Sequence, residues 1–220
     1  MNITINKEIY QVSPDFVISA IECDVTNSLH HNDLWDDIES FCEDFKTTTQ
    51  MEEINKRPAI YATREAYKKL GKDPNRYRPS AEALCRRILK DMPLYKINTL
   101  VDLINLVSLK TGYSIGGFDA DKIQGNTELG VGTSDDVFEG IGRGLLNIEG
   151  LPVYRDEKGG IGTPTSDEER TKLSVETTRL LMIINGYSGE KGIKEATEYA
   201  VALLKKYADA KDILIKEIKN

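Results

Sequence analysis

Apolar residues early in the chain fall at even spacings: Ile3, Ile5 and Ile9, then Phe16, Ile18 and Ala20. That period of two predicts two early strands. From Asn32 the spacing lengthens, with Leu34, Ile38, Phe41 and Phe45 at steps of four, three and four, the single apolar stripe of a helix whose acidic face meets solvent. In ATREAYKKLG, Thr63 offers an N-cap oxygen and Gly71 a left-handed stop, which predicts a short helix between them. DPNRYRPS follows as a turn-rich connection. Ser80 is then expected to cap another helix, with Leu84 and Ile88 inward and Arg86, Arg87 and Lys90 outside.

INTLVDLINLVSLKTG is the most apolar helix, with Leu100, Ile104 and Val107 on one face and a stop at Gly112. Asn98, Asp102 and Asn105 follow one another at steps of four and three, a polar stripe on this apolar helix. If buried, each side chain needs a hydrogen-bond partner or costs about 1 to 3 kcal/mol. The stripe is therefore expected to lie under the β-rich half, either as a structural network or as a ligand-contacting face.

Between Gly116 and Gly162 the chain turns to glycine and short β-prone pieces, which predicts small strands joined by tight turns. TTRLLMIINGY predicts a buried strand. IKEATEYAVALLKKYADA is expected to close the chain as an amphipathic helix, with Ile193, Ala196, Ala200, Leu203 and Tyr207 inward. No repeat or low-complexity linker interrupts the pattern, so the expectation is one α/β domain of the α+β type over 1–220.

Composition narrows the chemistry. A net charge of −7 argues against a broad basic surface for nucleic acid, so any RNA contact must be local, and Arg86, Arg87 and Lys90 are the clearest basic patch. No apolar run approaches the roughly 18 to 20 residues of a membrane span, and no secretory leader precedes the first strand, so the expected compartment is the cytoplasm. Cys23, Cys42 and Cys85 are odd in number and lack a Cys-x-x-Cys pair, which predicts buried reduced thiols rather than disulfides or a zinc cluster. The two histidines, His30 and His31, are adjacent in a polar loop and predict neither a catalytic dyad nor a metal site. Neither a metal nor a cofactor is expected. Gly140, Gly142 and Gly144 lack the preceding buried strand and Lys-Ser/Thr ending of a phosphate loop, so they predict tight turns or a close backbone approach.

One stretch carries an ordered set of features: Asn98, Val101, Asp102, Asn105, Leu109 and Gly112, then Phe118, Asp119 and Ile123. This resembles the B3/B4 domain, the editing module of the bacterial phenylalanyl-tRNA synthetase β subunit. RYRPSAEALCRRILK resembles the lead-in of free-standing members of that family. Downstream, Glu139 with Ile141 and Gly142, the strand LPVYRD, and Ser166, Asp167, Arg170 and Thr171 continue in matching order, so the resemblance covers about 58–188.

The resemblance implies a B3/B4-like module with a mixed β-sheet half packed against several helices. It also implies a protein that receives the 3′ end of aminoacyl-tRNA and cleaves tyrosine from mischarged tRNA through a positioned water. The pocket residues it implies are Asn98, Asp102, Asn105, Gly116, Gly117, Asp119, Asp167 and Arg170. This sequence departs from the pattern at three points. Gly116 and Gly117 stand where the synthetase has a histidine ahead of Ala-Phe-Asp, Ile104 replaces a threonine, and the later strand offers only Asn185 where an acidic residue is expected. Gly116 and Gly117 are open to two readings, a β-turn or a pocket wall that presents backbone donors. The functions to separate are an editing deacylase acting in trans, and a non-catalytic module for an amino acid or other small polar ligand.

Overall fold

The structure, a computed structural model, describes residues 2–219. Two four-stranded sheets and a layer of helices stack in sequence. Strands β1 (Ile3–Ile5), β4 (Thr127–Val131), β7 (Pro152–Asp156) and β8 (Gly159–Gly162) form the first sheet in that order, mixed because β1 runs parallel to β4. The second sheet is antiparallel, in the order β10 (Lys211–Lys219), β2 (Val17–Asp24), β9 (Arg179–Gly186), β3 (Ile115–Asp119). A two-stranded ribbon, β5 (Glu139–Gly140) and β6 (Gly144–Leu145), turns through Gly142 and Gly144, both at positive φ. The mixed α/β architecture is the one expected.

β9 shows why its run is continuously apolar. Leu180, Met182 and Ile184 point to the helices, whereas Leu181 and Ile183 point to the first sheet, so both faces are buried. On the helix side, Leu100, Leu103 and Val107 of α5 (Thr99–Thr111) meet Leu34 and Ile38 of α2 (Asn32–Thr48) and Ala196, Ala200 and Leu203 of α6 (Ile193–Tyr207). α5 ends at Gly112, left-handed at φ 83°, as its sequence predicts. Cys23 and Cys85 are buried and Cys42 partly so; all three are free, and burial pushes the Cys23 thiol up to about 11.

Four expectations are corrected. Ile9 lies not in a strand but on a short helix, α1 (Lys7–Val12), capped by the Asn6 side chain. α3 spans Pro58–Lys69, so Thr63 does not cap it; Pro58 starts the helix and the buried Thr63 hydroxyl donates to the Ala59 carbonyl one turn back. Ser80 is the first residue of α4 (Ser80–Leu89) rather than its cap, with its N–H donated to the Pro164 carbonyl. α6 does not close the chain, because β10 follows it and pairs with β2 along the sheet edge.

Candidate functional site

The polar stripe of α5 divides. At the helix start the Asn98 side chain accepts from the Val101 N–H at 3.0 Å and donates to the Leu173 carbonyl at 3.4 Å. Asp102, 1% exposed, accepts from the Trp35 indole at 2.7 Å and from the Ile97 N–H at 3.1 Å. It therefore faces α2 rather than the β-rich half. Burial raises its pKa, against the pull of those two donors. Asn105 sits about 60° further around the helix axis, which turns it away from α2 and into a cavity.

That cavity is about 130 Å³. Ile104, Asn105 and Ser108 of α5 form one wall, Gly117 of β3 the floor, and Ser166 and Asp167 the wall after β8. The last segment is held on both sides. Thr163 and Ser166 exchange backbone and hydroxyl hydrogen bonds across a tight turn, and the Asp167 carbonyl accepts from the Ile141 N–H of the β5–β6 ribbon.

Missing side chains make the slot for the Asp167 carboxyl. A Cβ on Gly162 would lie 2.7 Å from its Oδ1 and 2.6 Å from the Phe118 ring; one on Gly116 would lie 3.7 Å and 2.6 Å from the same two groups. Gly116 and Gly117 are thus strand residues, and neither makes a β-turn. Gly116 packs under Phe118, while Gly117 lies on the cavity floor and donates its N–H to Asp167 Oδ2 at 3.3 Å. Burial pushes Asp167 up to about 7, the Gly117 N–H pulling the other way.

Asp119 and Arg170 lie outside this cavity. Asp119 caps a short 3-10 turn and accepts from the Thr177 hydroxyl at 3.0 Å, with Lys122 at 3.3 Å. Arg170 forks onto both oxygens of Asp156, at 3.0 and 2.9 Å. The cavity thus joins Asn105, Gly117 and Asp167 of the residues singled out from the sequence, with Gly116 behind its floor. It adds Ser80, Ser108 and Thr163. Ser108 lies three residues after Asn105, a helical spacing that points to it, whereas Ser80 reaches the cavity only through tertiary packing.

Comparison with known proteins now decides the family. A profile of the B3/4 domain matches residues 62–209, more than half of the chain. The chain belongs to the B3/4 domain family. Among solved structures, the N-terminal fragment of the phenylalanyl-tRNA synthetase β subunit from Pyrococcus horikoshii superposes with a TM-score of 0.54 at 12% identity. The alignment covers 100% of this chain and 54% of that one, so this chain spans about half the length of the fragment. At that identity the likeness establishes the fold alone. No curated protein matches this chain.

Elsewhere in this B3/4 domain, the expected basic patch is partly engaged. Arg86 donates to Glu82 at 2.8 Å, and Glu82 is buried against Arg64 as well. Arg87 donates to the Pro93 carbonyl and lies 4.0 Å over the Tyr95 ring, whereas Lys90 is exposed at the end of α4. His30 stacks near Trp35 and His31 meets the Tyr207 ring edge, both at the start of α2. Among the described residues no group of three His, Cys, Asp or Glu is placed to hold a metal, and no helix is long and apolar enough to cross a membrane.

Proposed function

We propose that this B3/4 domain binds the aminoacyl end of charged tRNA in the cytoplasm and hydrolyses the ester of mischarged species. Water adds to the ester carbonyl, and the amino acid departs as the terminal tRNA hydroxyl regains its proton. The observation that carries this reading is the convergence of Asn105, Gly117 and Asp167 on one small cavity. Its hydroxyl and amide groups are the kind that orient a carbonyl and a water. α4 begins beside the cavity at Ser80, and its C-cap residue Lys90 lies about 15 Å away at 1.5 Å per residue, which suits an RNA end inserted while its phosphates lie along the helix.

The histidines stand at α2, outside the cavity lining. Without an imidazole, which as a general acid or base contributes about 10² to 10⁴-fold, the water must be positioned by cavity hydroxyls and the tRNA's own terminal hydroxyl, so turnover should be slow. A second reading, a binding module without hydrolysis, is favoured by one detail: the Gly117 N–H already donates to Asp167, so it is not free to hold an oxyanion. Incubation of the protein with tRNAs mischarged with different amino acids, beside correctly charged controls, separates the two. Release above the no-protein rate for a mischarged species supports the deacylase. Background rates for every species, with aminoacyl groups still bound, support the binding module.

A further inference from the structure

The cavity is small for the aromatic amino acid that family resemblance implies. Ligand pockets usually enclose about 300 to 1,000 Å³, and an enclosed apolar cavity of about 150 Å³ is the size that binds benzene. At about 130 Å³ and partly open to solvent, this cavity leaves little enclosed space for a phenol ring beside an α-carbon, amine and ester. The side chains that limit it are identifiable. Ile104 Cδ1 lies so close over the floor that a Cβ on Gly117 would meet it at 2.5 Å, and Leu173 Cδ1 would lie 3.1 Å from that same Cβ.

One end of the cavity carries a carboxylate without a cation. Asp167 accepts one N–H, from Gly117. The basic side chains nearest in sequence are occupied: Arg170 by Asp156, Lys172 by Glu169. Asp167 is half-buried, and a carboxylate drawn out of water is stabilised by a positive partner, which a cationic ligand can supply here. An ammonium is compact and has three donors, so Asp167, the Asn105 amide oxygen and a serine hydroxyl can share it.

We propose that the cavity recognises a small amino acid, of the alanine or serine class, with Asp167 as counter-charge to its α-ammonium and Ile104 as the residue that excludes larger side chains. This rests on reading the cavity as an aminoacyl site and narrows it to a substrate class.

Amino-acid amides test it, because they keep the ammonium and carbonyl of an aminoacyl ester and resist hydrolysis. Calorimetric titration of the full chain is expected to show binding of L-alaninamide and L-serinamide, and at least tenfold weaker binding of L-tyrosinamide. N-acetyl-L-alaninamide, which lacks the charge, should not bind. Asp167→Asn should weaken L-alaninamide at least tenfold, with thermal melting confirming that the variant is folded. Ile104→Ala should raise the affinity for L-valinamide relative to L-alaninamide, a change of preference that a merely structural role would not produce. Equal or tighter binding of L-tyrosinamide overturns the size selection and leaves the aminoacyl reading standing. Equal binding of the acetylated amide overturns the role of Asp167. If the folded protein binds none of the amides, both the inference and the aminoacyl reading fall. Binding of the small amides without release from any mischarged tRNA supports the inference and overturns only the deacylase.

Discussion

Asp102 and Asp167 are both pushed above the ordinary carboxylate range by burial, yet their surroundings differ. Asp102 sits between two helices with one oxygen on the Trp35 indole and the other on the Ile97 N–H. It ties α2 to the start of α5. Asp167 sits at the edge of a cavity, in a slot opened by glycines, with a single 3.3 Å bond. A fully partnered buried group rigidifies what surrounds it, whereas a poorly partnered one costs stability at a place where a ligand can complete it. On the proposed reading, the contrast separates a structural acid near the start of α5 from a recognition acid in the segment after β8.

Removing each acid should therefore move stability in opposite directions. Asp102→Ala leaves the buried Trp35 indole and the half-buried Ile97 N–H without an acceptor and is expected to destabilise by about 1 to 3 kcal/mol, read by denaturant unfolding. Asp167→Asn is expected to stabilise. Equal losses for the two would erase the distinction.

The pH dependence fixes the sign for Asp167. Its pKa rises from 3.8 to about 7 on folding. Between those values the native state keeps a proton that the unfolded state has lost, so the contribution of Asp167 to stability falls as pH rises, and above 7 the full penalty stands. No charged side chain opposes it within the cavity: α4 presents Ser80, α5 presents Asn105 and Ser108, β3 presents Gly117, and Glu168 beside it is turned to Arg170. The gain from Asp167→Asn should thus reach about 2 to 4 kcal/mol at pH 8 and vanish near pH 4, measured as the difference between the two unfolding curves. A gain that does not change with pH would mean that the Asp167 carboxyl is solvated.

How far the sequence discloses this contrast depends on what each residue needs from distant parts of the chain. The helical spacing of Asn98, Asp102 and Asn105 is local, and so is the stop at Gly112; both are readable. That Asp102 turns to α2 is not, because Trp35 reaches it only after α2 and α5 pack. The Asp167 slot is harder still, since it consists of Cβ atoms that Gly116 and Gly162 lack, and an absent atom has meaning only beside the Phe118 ring that fills the space. β10 escaped for another reason: its residues are mostly exposed or half-buried on both faces, and a bulge between Lys211 and Leu214 breaks the alternation that marks a strand. α1 is a single short helix whose one buried apolar residue, Ile9, fits either period.

The smallest expected effect concerns the route by which RNA would reach Asp167 and not Asp102. Each phosphate contact contributes about 0.7 to 0.9 to the slope of log affinity against log salt. Arg86 is held by Glu82 and Arg87 by Pro93 and Tyr95, so Lys90 is the cation of this patch most able to meet a phosphate without first breaking another interaction. Lys90→Ala should therefore reduce the slope by roughly one contact and leave stability unchanged. The Arg86, Arg87 and Lys90 triple alanine variant should lower the slope little further, yet lose stability, because buried Glu82 keeps fewer cationic partners. Filter binding of tRNA at several salt concentrations measures the slopes, and thermal melting measures the cost. A triple variant that loses three contacts' worth of slope at parental stability would show that both arginines leave their protein partners to meet RNA, and a Lys90 variant with the parental slope would place the RNA path away from α4.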